Sequence, residues 1–85
     1  MYKVLLSKQA DKKRRKLPLN IRNLIKEKLY ILELWKFEIL DIKKLQWEEN
    51  LYRLRIGKYR VIFEKQDKKL IIFVIDIGSR WDIYK

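Results

Sequence analysis

The sequence lacks both cysteine and histidine, and it has only two glycines and one proline among 85 residues. Without cysteine, disulfides and cysteine-based zinc sites are excluded. Without histidine, the commonest general acid or base and the commonest metal ligand are missing too. We therefore expect neither a metal nor a cofactor, and any catalysis must use guanidiniums, phenols and carboxylates.

Long apolar stretches are also missing. The longest unbroken apolar run covers residues 70–75, whereas a helix needs ~20 apolar residues to span a bilayer. No signal peptide precedes the first predicted strand. We expect a cytoplasmic protein without a membrane partner.

Positive charge is what the chain has in excess. It carries 22 lysines and arginines against 11 acidic residues, which gives a formal charge of +11 and a pI near 10.0. Such a charge favours a polyanionic partner: nucleic acid, a ribosome or an acidic protein. The hydrophobic content of 48% is ample for one core, so residues 1–85 are expected to form a single domain.

The N-terminal half predicts a strand and two helices. A strand is expected at residues 2–6, and Ser7 is a suitable N-cap for a helix over residues 8–16. Pro18 ends this helix and suits the first turn of the next one. The second helix has an apolar stripe at helical spacing, formed by Ile21, Leu24, Ile25, Leu29 and Leu32. The basic run at residues 12–16 is typical of a nucleic-acid patch or of a solvated helix surface.

The C-terminal half predicts an antiparallel sheet. Residues 35–41 fit either a strand or an apolar loop that covers a sheet edge. Residues 43–47 are typical of a short strand, with turns at residues 48–50 and 65–68. Residues 70–75 lack alternation and are rich in β-branched side chains, which predicts a central strand buried on both faces. The expected fold class is α+β, with an N-terminal strand, a helical hairpin and then the sheet.

Residues 52–63 are the most informative segment, because they alternate as two strands around a tight turn. Gly57 and Lys58 suit a two-residue loop with glycine at its first central position. The loop aligns three cross-strand pairs, which are Ile56 with Tyr59, Arg55 with Arg60, and Leu54 with Val61. The segment therefore predicts a β-hairpin.

The hairpin predicts a cluster of positive charge. Alternation places Arg53, Arg55 and Arg60 on one face and the apolar side chains on the other. Like charges that face each other across strands are destabilising, so the cluster indicates an anion such as an RNA phosphate. The alternative is a solvated basic face with carboxylates nearby. Glu64, Asp76 and Asp82 are expected to be ion-pair partners of this surface rather than magnesium ligands.

Four segments follow a known family pattern over nearly the whole chain. They are Lys16-Leu17-Pro18 with Ile21-Arg22, Lys43-Lys44-Leu45, residues 51–64, and residues 74–84. With these segments the chain resembles the RelE/ParE superfamily of toxins from bacterial and archaeal type II toxin–antitoxin pairs. It is most similar to the RelE branch, whose members cut mRNA in the ribosomal A site. The resemblance implies a sheet flanked by a helical hairpin, in agreement with the fold predicted above.

The resemblance also implies the site residues. The RelE branch uses a basic pair before the hairpin turn, an arginine after the turn, an arginine after the last strand and a tyrosine near the C-terminus. The implied catalytic residues are therefore Arg55, Arg60, Arg80 and Tyr84, and the implied RNA-binding residues are Arg53, Arg55, Lys58 and Lys44. In well-studied relatives the basic pair is lysine, and one of the two is proposed as the general base. Arginine has a pKa above about 12 and is a poor base at neutral pH, so the resemblance leaves the general base of this chain open.

The function implied by the resemblance is a ribosome-dependent mRNA endoribonuclease that inhibits translation. It would cut without a metal, through the neighbouring 2′-hydroxyl, and its partners would be the ribosome, mRNA and an acidic, helical, RelB-like antitoxin. Two alternatives are a ParE-like toxin that binds a topoisomerase and a basic RNA-binding module without catalysis.

Overall fold

The computed structural model describes residues 1–34, 36–45 and 50–79. Two helices follow the first strand, and four more strands complete a five-stranded sheet. The elements are β1 (Lys3–Leu6), α1 (Lys8–Arg15), α2 (Leu19–Glu33), a 3₁₀ turn (Phe37–Ile39), β2 (Ile42–Lys44), β3 (Leu51–Ile56), β4 (Tyr59–Gln66) and β5 (Ile71–Ser79). The predicted α+β order of strand, helical hairpin and sheet is confirmed.

The strand order in the sheet is β1-β5-β4-β3-β2. The β1 strand runs parallel to β5, and all other neighbours are antiparallel. The β5 strand therefore lies inside the sheet, but the central strand is β4, so the predicted central position of residues 70–75 is wrong. Their predicted burial on both faces is also wrong, because burial alternates: Ile72 and Val74 are buried whereas Ile71 and Phe73 are half-buried. The buried residues of the two helices join one face of the sheet in the core, which leaves the other face more open.

The helix boundaries follow the predicted signals. The Ser7 hydroxyl accepts a hydrogen bond from the backbone N–H of Ala10 at 3.0 Å, and Pro18 is the N-cap of α2 with φ −56°. In α2, Ile25 and Leu29 are buried with Leu32, whereas Leu24 is 37% exposed. The prediction that Leu24 belongs to the apolar stripe is wrong, because Leu24 and Ile25 lie about 100° apart around the helix axis. Among the described residues, no helix is long and apolar enough to cross a membrane.

The remaining loops differ modestly from the prediction. The 3₁₀ turn supports the interpretation of residues 36–41 as an apolar loop, since Phe37 and Leu40 pack against the core. The strand predicted at residues 43–47 overlaps β2 only at residues 43–44, because β2 begins at Ile42 and ends at Lys44. Residues 46–49 lie outside the described part of the chain. The turn predicted at residues 65–68 lies two residues later, because β4 continues to Gln66. Leu70 ends that turn with φ 54°, an uncommon conformation for leucine.

A tyrosine near the N-terminus joins the first strand to the turn between β4 and β5. Tyr2 is 8% exposed, and its hydroxyl donates a hydrogen bond to the Asp67 carboxylate. Burial and the neighbouring Asp67 carboxylate raise the pKa of Tyr2 to about 12. The same hydrogen bond lowers the pKa of Asp67. This contact lies at the end of β4 opposite the hairpin turn.

Candidate functional site

The β3–β4 hairpin has the predicted register. Arg55 lies opposite Arg60, Ile56 lies opposite Tyr59, and Leu54 lies opposite Val61. Gly57 has φ +59°, and Lys58 is not in the left-handed region, which is the pattern of a two-residue turn with glycine at its first central position. Because directly paired residues share a face and alternate residues along a strand return to it, Arg53, Arg55 and Arg60 lie on one face. We call this surface the guanidinium face.

The three arginines differ in how firmly the protein encloses them. Arg60 is the most enclosed, at 7% exposure, and Arg53 has a side-chain exposure of 16%. Arg55 is exposed. The enclosed side chain of Arg60 has little room to move, whereas the exposed side chain of Arg55 can adapt to a ligand.

The residue just before the edge strand β2 supplies a counter-charge. A carboxylate oxygen of Asp41 lies 3.7 Å from Arg53, and the Asp41 backbone carbonyl accepts a hydrogen bond from the N–H of Arg55 at 2.9 Å. Asp41 is 59% exposed, so this pair contributes little to stability. Within the part of the chain that the structure describes, the Arg53 Nε has no hydrogen-bond acceptor. That Nε is buried, whereas the terminal nitrogen of Arg53 is the atom that lies 3.7 Å from Asp41.

Asp76 also belongs to the guanidinium face, although the sequence predicted it only as an ion-pair partner. It lies opposite Ile62, which in turn lies opposite Arg53. The predicted ion pair is present, since Lys13 Nζ on α1 lies 2.9 Å from Asp76 Oδ1. Asp76 is the one charged residue in β5, and that isolated charge was the available signal for a site residue.

A β-bulge decides the face on which Asp76 lies. Val74 is buried opposite Phe63, and strict alternation would place Asp76 with it in the core. The pairing shifts between Ile62 and Phe63, so that one extra residue of β5 is inserted between Val74 and Asp76. After an extra residue, every following side chain of the strand lies on the opposite face of the sheet from the one that strict alternation would give. The bulge therefore moves Asp76 out of the core and onto the guanidinium face.

Other predicted site residues are placed differently. Lys58 is exposed in the hairpin turn, at the end of the guanidinium face. Lys44 lies opposite Tyr52, which stacks on the buried Phe63, so Lys44 lies on the opposite face and does not join the arginines. Arg80 and Tyr84 lie outside the described residues, and their predicted roles stay predictions.

A groove of about 630 Å³ lies between the two helices and β1, away from the guanidinium face. Its lining combines apolar side chains such as Ile25 and Leu29 with the cations of Arg14, Arg22 and Lys26. Asp11 binds Arg14 at 2.7 Å, and this hydrogen bond is the main cause of the lowered pKa of Asp11. Acidic and apolar groups on a partner would suit such a lining.

Comparison with known proteins gives one consistent family. Residues 4–84 match the model of the ParE toxin of the type II toxin–antitoxin system parDE. The chain is 31% identical over 81 residues to the mRNA interferase toxin RelE of Escherichia coli K12, covering 93% of this chain and 83% of that protein.

Solved structures agree with the family match. The archaeal RelE–RelB complex from Pyrococcus horikoshii OT3 is similar at 32% identity and a TM-score of 0.79, with coverage of 93% of this chain and 94% of that one. The intact E. coli RelBE toxin–antitoxin complex is similar at 29% identity and a TM-score of 0.77, with coverage of 93% and 96%.

Proposed function

The chain belongs to the RelE/ParE superfamily of type II toxin–antitoxin toxins, and we propose that it is an endoribonuclease that cuts mRNA in the ribosomal A site. The observation that carries the proposal is the guanidinium face. Three arginines on one sheet face, one of them nearly buried, suit the phosphates of an RNA strand. The curated relatives that the chain matches are themselves named mRNA interferases.

The proposed chemistry is attack of the 2′-hydroxyl on the adjacent phosphodiester. Negative charge then accumulates on the phosphoryl oxygens, and fixed cations stabilise that charge where it develops. Arg60 is the best-placed described residue for this role because it is enclosed by the fold. Arg53 and Arg55 would hold backbone phosphates, Lys58 would contact a flanking phosphate at the turn, and Arg80 would join Arg60 at the reacting group.

Tyr84 is proposed to stack on a base or to orient the 2′-hydroxyl. Cleavage through the 2′-hydroxyl needs no metal-activated water, so the reaction is proposed to be metal-independent. The ribosome would orient the mRNA, and orientation alone can be worth roughly 7–11 kcal/mol. A modest set of protein groups would then be sufficient.

The proposed inhibitor is an acidic, helical, RelB-like antitoxin. Two of the similar solved structures are complexes of a RelE toxin with RelB. The charge of +11 and the groove between the helices and β1 favour a partner that carries acidic and apolar side chains. A protein that acts on ribosomes is expected in the cytoplasm.

Toeprinting of mRNA on stalled ribosomes with purified protein tests this function. We expect a cut in the A-site codon, a product with a 2′,3′-cyclic phosphate, and unchanged activity after EDTA treatment of the free protein. An mRNA with one 2′-deoxy sugar at the cut position should bind and resist cleavage. Cutting of that mRNA at the same bond and at a normal rate would overturn the 2′-hydroxyl mechanism.

A second candidate is a toxin that acts on a topoisomerase, because the matching family model is that of ParE. Inhibition of a topoisomerase by the purified protein, together with a toeprinting assay in which the ribosome-bound mRNA stays intact, would favour this candidate.

The Arg80→Ala variant distinguishes the proposed enzyme from a basic RNA-binding module without catalysis. An enzyme would lose rate and keep affinity, whereas a simple binder would lose part of its affinity and has no rate to lose.

A further inference from the structure

Asp76 has one carboxylate oxygen that the protein fixes and one that it leaves open. Oδ1 lies 2.9 Å from Lys13 Nζ and accepts the backbone N–H of Ile77, also at 2.9 Å. In residues 1–34, 36–45 and 50–79, no donor binds Oδ2. The side chain is 20% exposed, so part of it is open to solvent. The carboxylate is thus held in one orientation with a free acceptor.

The place of this acceptor in the sheet brings it close to the arginines. Gly78 lies opposite Arg60, and Asp76 is two residues further along β5, so Arg60 and Asp76 are diagonal neighbours at about 7–8 Å. Arg53 is two strands away from Asp76 across Ile62, at about 10 Å. An arginine side chain covers most of such a distance. A phosphate held between Arg53 and Arg60 would therefore have its sugar within reach of Oδ2.

Lys13 offsets the repulsion that a carboxylate would exert on a nearby phosphate. Lys13 and Asp76 have opposite charges and lie in direct contact at 2.9 Å, so together they add no net charge to this face. The guanidinium face thus keeps a positive balance, and the phosphate is not repelled by an isolated anion.

Other carboxylates of this face are less suited. Asp41 is 59% exposed just before the edge strand β2 and lies beside Arg53. Glu64 accepts a hydrogen bond from the Gln66 amide, and it is four residues from Arg60 along β4, which is about 13 Å. Among the described residues, Asp76 alone combines an anchored carboxylate with nearness to Arg60.

We propose that Asp76 is the general base of this toxin, and this inference rests on the proposed function. Oδ2 takes the proton of the attacking 2′-hydroxyl as the bond from O2′ to phosphorus forms. The bond from phosphorus to O5′ breaks, and O5′ takes a proton from water. The products are a 2′,3′-cyclic phosphate and a 5′-hydroxyl, and Asp76 returns its proton to solvent. Lys13 is a positioning residue that fixes Oδ1.

The experiment measures single-turnover cleavage of ribosome-bound mRNA at saturating toxin, together with the affinity for the ribosome. General acid–base catalysis is worth typically about 10²–10⁴-fold, so Asp76→Asn should lower the rate by that factor and leave the affinity unchanged. Glu64→Gln is the matched control for a carboxylate of the same face and should cut at nearly the wild-type rate. Lys13→Met should lower the rate less than Asp76→Asn, and Lys12→Met, with the same loss of charge on α1, should not.

A chemical readout separates a lost base from a disturbed structure. Asp76→Ala removes the carboxylate, and added formate should restore part of its cleavage rate, whereas chloride at the same ionic strength should not. This variant also decides the matter if Asp76→Asn fails to fold, since absence of formate rescue in a folded, ribosome-bound Asp76→Ala would overturn the proposal.

The remaining outcomes are also decisive. Wild-type rates for Asp76→Asn, or parallel losses of rate and affinity, would overturn the role of Asp76 while the nuclease function stands. Ribosome-bound mRNA left intact by the wild-type protein would overturn the proposed function itself, and the role of Asp76 with it.

Discussion

Arg55 lies directly opposite Arg60 across the β3–β4 hairpin, so two like charges occupy one cross-strand pair. Such pairs are destabilising, and cross-strand pair energies are roughly 0.2–1 kcal/mol. Arg53, by contrast, faces Ile62 and has Asp41 beside it at 3.7 Å. The like charges are therefore closest at this pair, and an anionic ligand would add a counter-charge there.

This pair predicts that replacing Arg55 makes the fold more stable and RNA binding weaker. Arg55→Gln should raise the free energy of unfolding by about 0.2–1 kcal/mol, because it removes the repulsion from Arg60. The same change should weaken binding to RNA. Chemical denaturation and RNA titration measure the two effects. Arg53→Gln is the control, since its ion pair with Asp41 is lost as well, and an equal stabilisation in both variants would contradict the explanation.

The charge of the chain predicts salt-dependent association with the antitoxin. Charges at the rim of an interface mainly steer the encounter, and this chain carries a charge of +11. Raising salt should therefore slow complex formation more than it speeds dissociation. Stopped-flow association and dissociation rates across a salt series test this, and an association rate that ignores salt would remove the electrostatic part of the explanation.

We expect substitutions of Arg80 and Tyr84, the two predicted site residues near the C-terminus, to lower activity without lowering stability. Arg80→Ala and Tyr84→Phe should each lower the cleavage rate on the ribosome, because one removes a cation and the other a hydroxyl from the proposed site. Thermal unfolding should be unchanged, since both follow the last strand in sequence. A normal cleavage rate in both variants would show that the resemblance misleads at these positions.

The Tyr2–Asp67 contact predicts a specific loss of stability in alkali. The pKa of Tyr2 is raised from 10.0 to about 12 in the folded protein. The unfolded chain therefore loses the tyrosine proton first, and stability that is present below pH ~10 should fall as the pH approaches ~12. Tyr2→Phe should make this fall shallower. Thermal unfolding between these pH values measures it, with Tyr30→Phe, an exposed tyrosine, as the control; identical pH profiles for all three proteins would contradict the prediction.

Local rules were sufficient for the hairpin. The conformation of Gly57 and the alternation of the strands depend only on neighbouring residues, so the register of Arg55 with Arg60 could be predicted. The same holds for the Ser7 cap of α1 and for the start of α2 after Pro18, because capping is set within one helical turn.

The sequence could not place residues whose position depends on distant elements. An apolar run predicts a buried strand but not its position in the sheet. The β5 strand lies between β1 and β4 because it pairs with β1, which is about 70 residues earlier in the sequence. Lys44 follows the basic pattern of the site, yet its pairing with Tyr52 puts it on the other face. Long-range pairing leaves no signature in a short window of sequence.

The sequence by itself determined the composition of the site: the charge, the lack of histidine and cysteine, and a hairpin with three arginines on one face. Only the tertiary structure decided which carboxylate joins them. Val74 and Asp76 would share a face in a regular strand, and the bulge between β4 and β5 separates them. A bulge is an extra residue in one strand relative to its partner, so it is defined only once the two strands have paired.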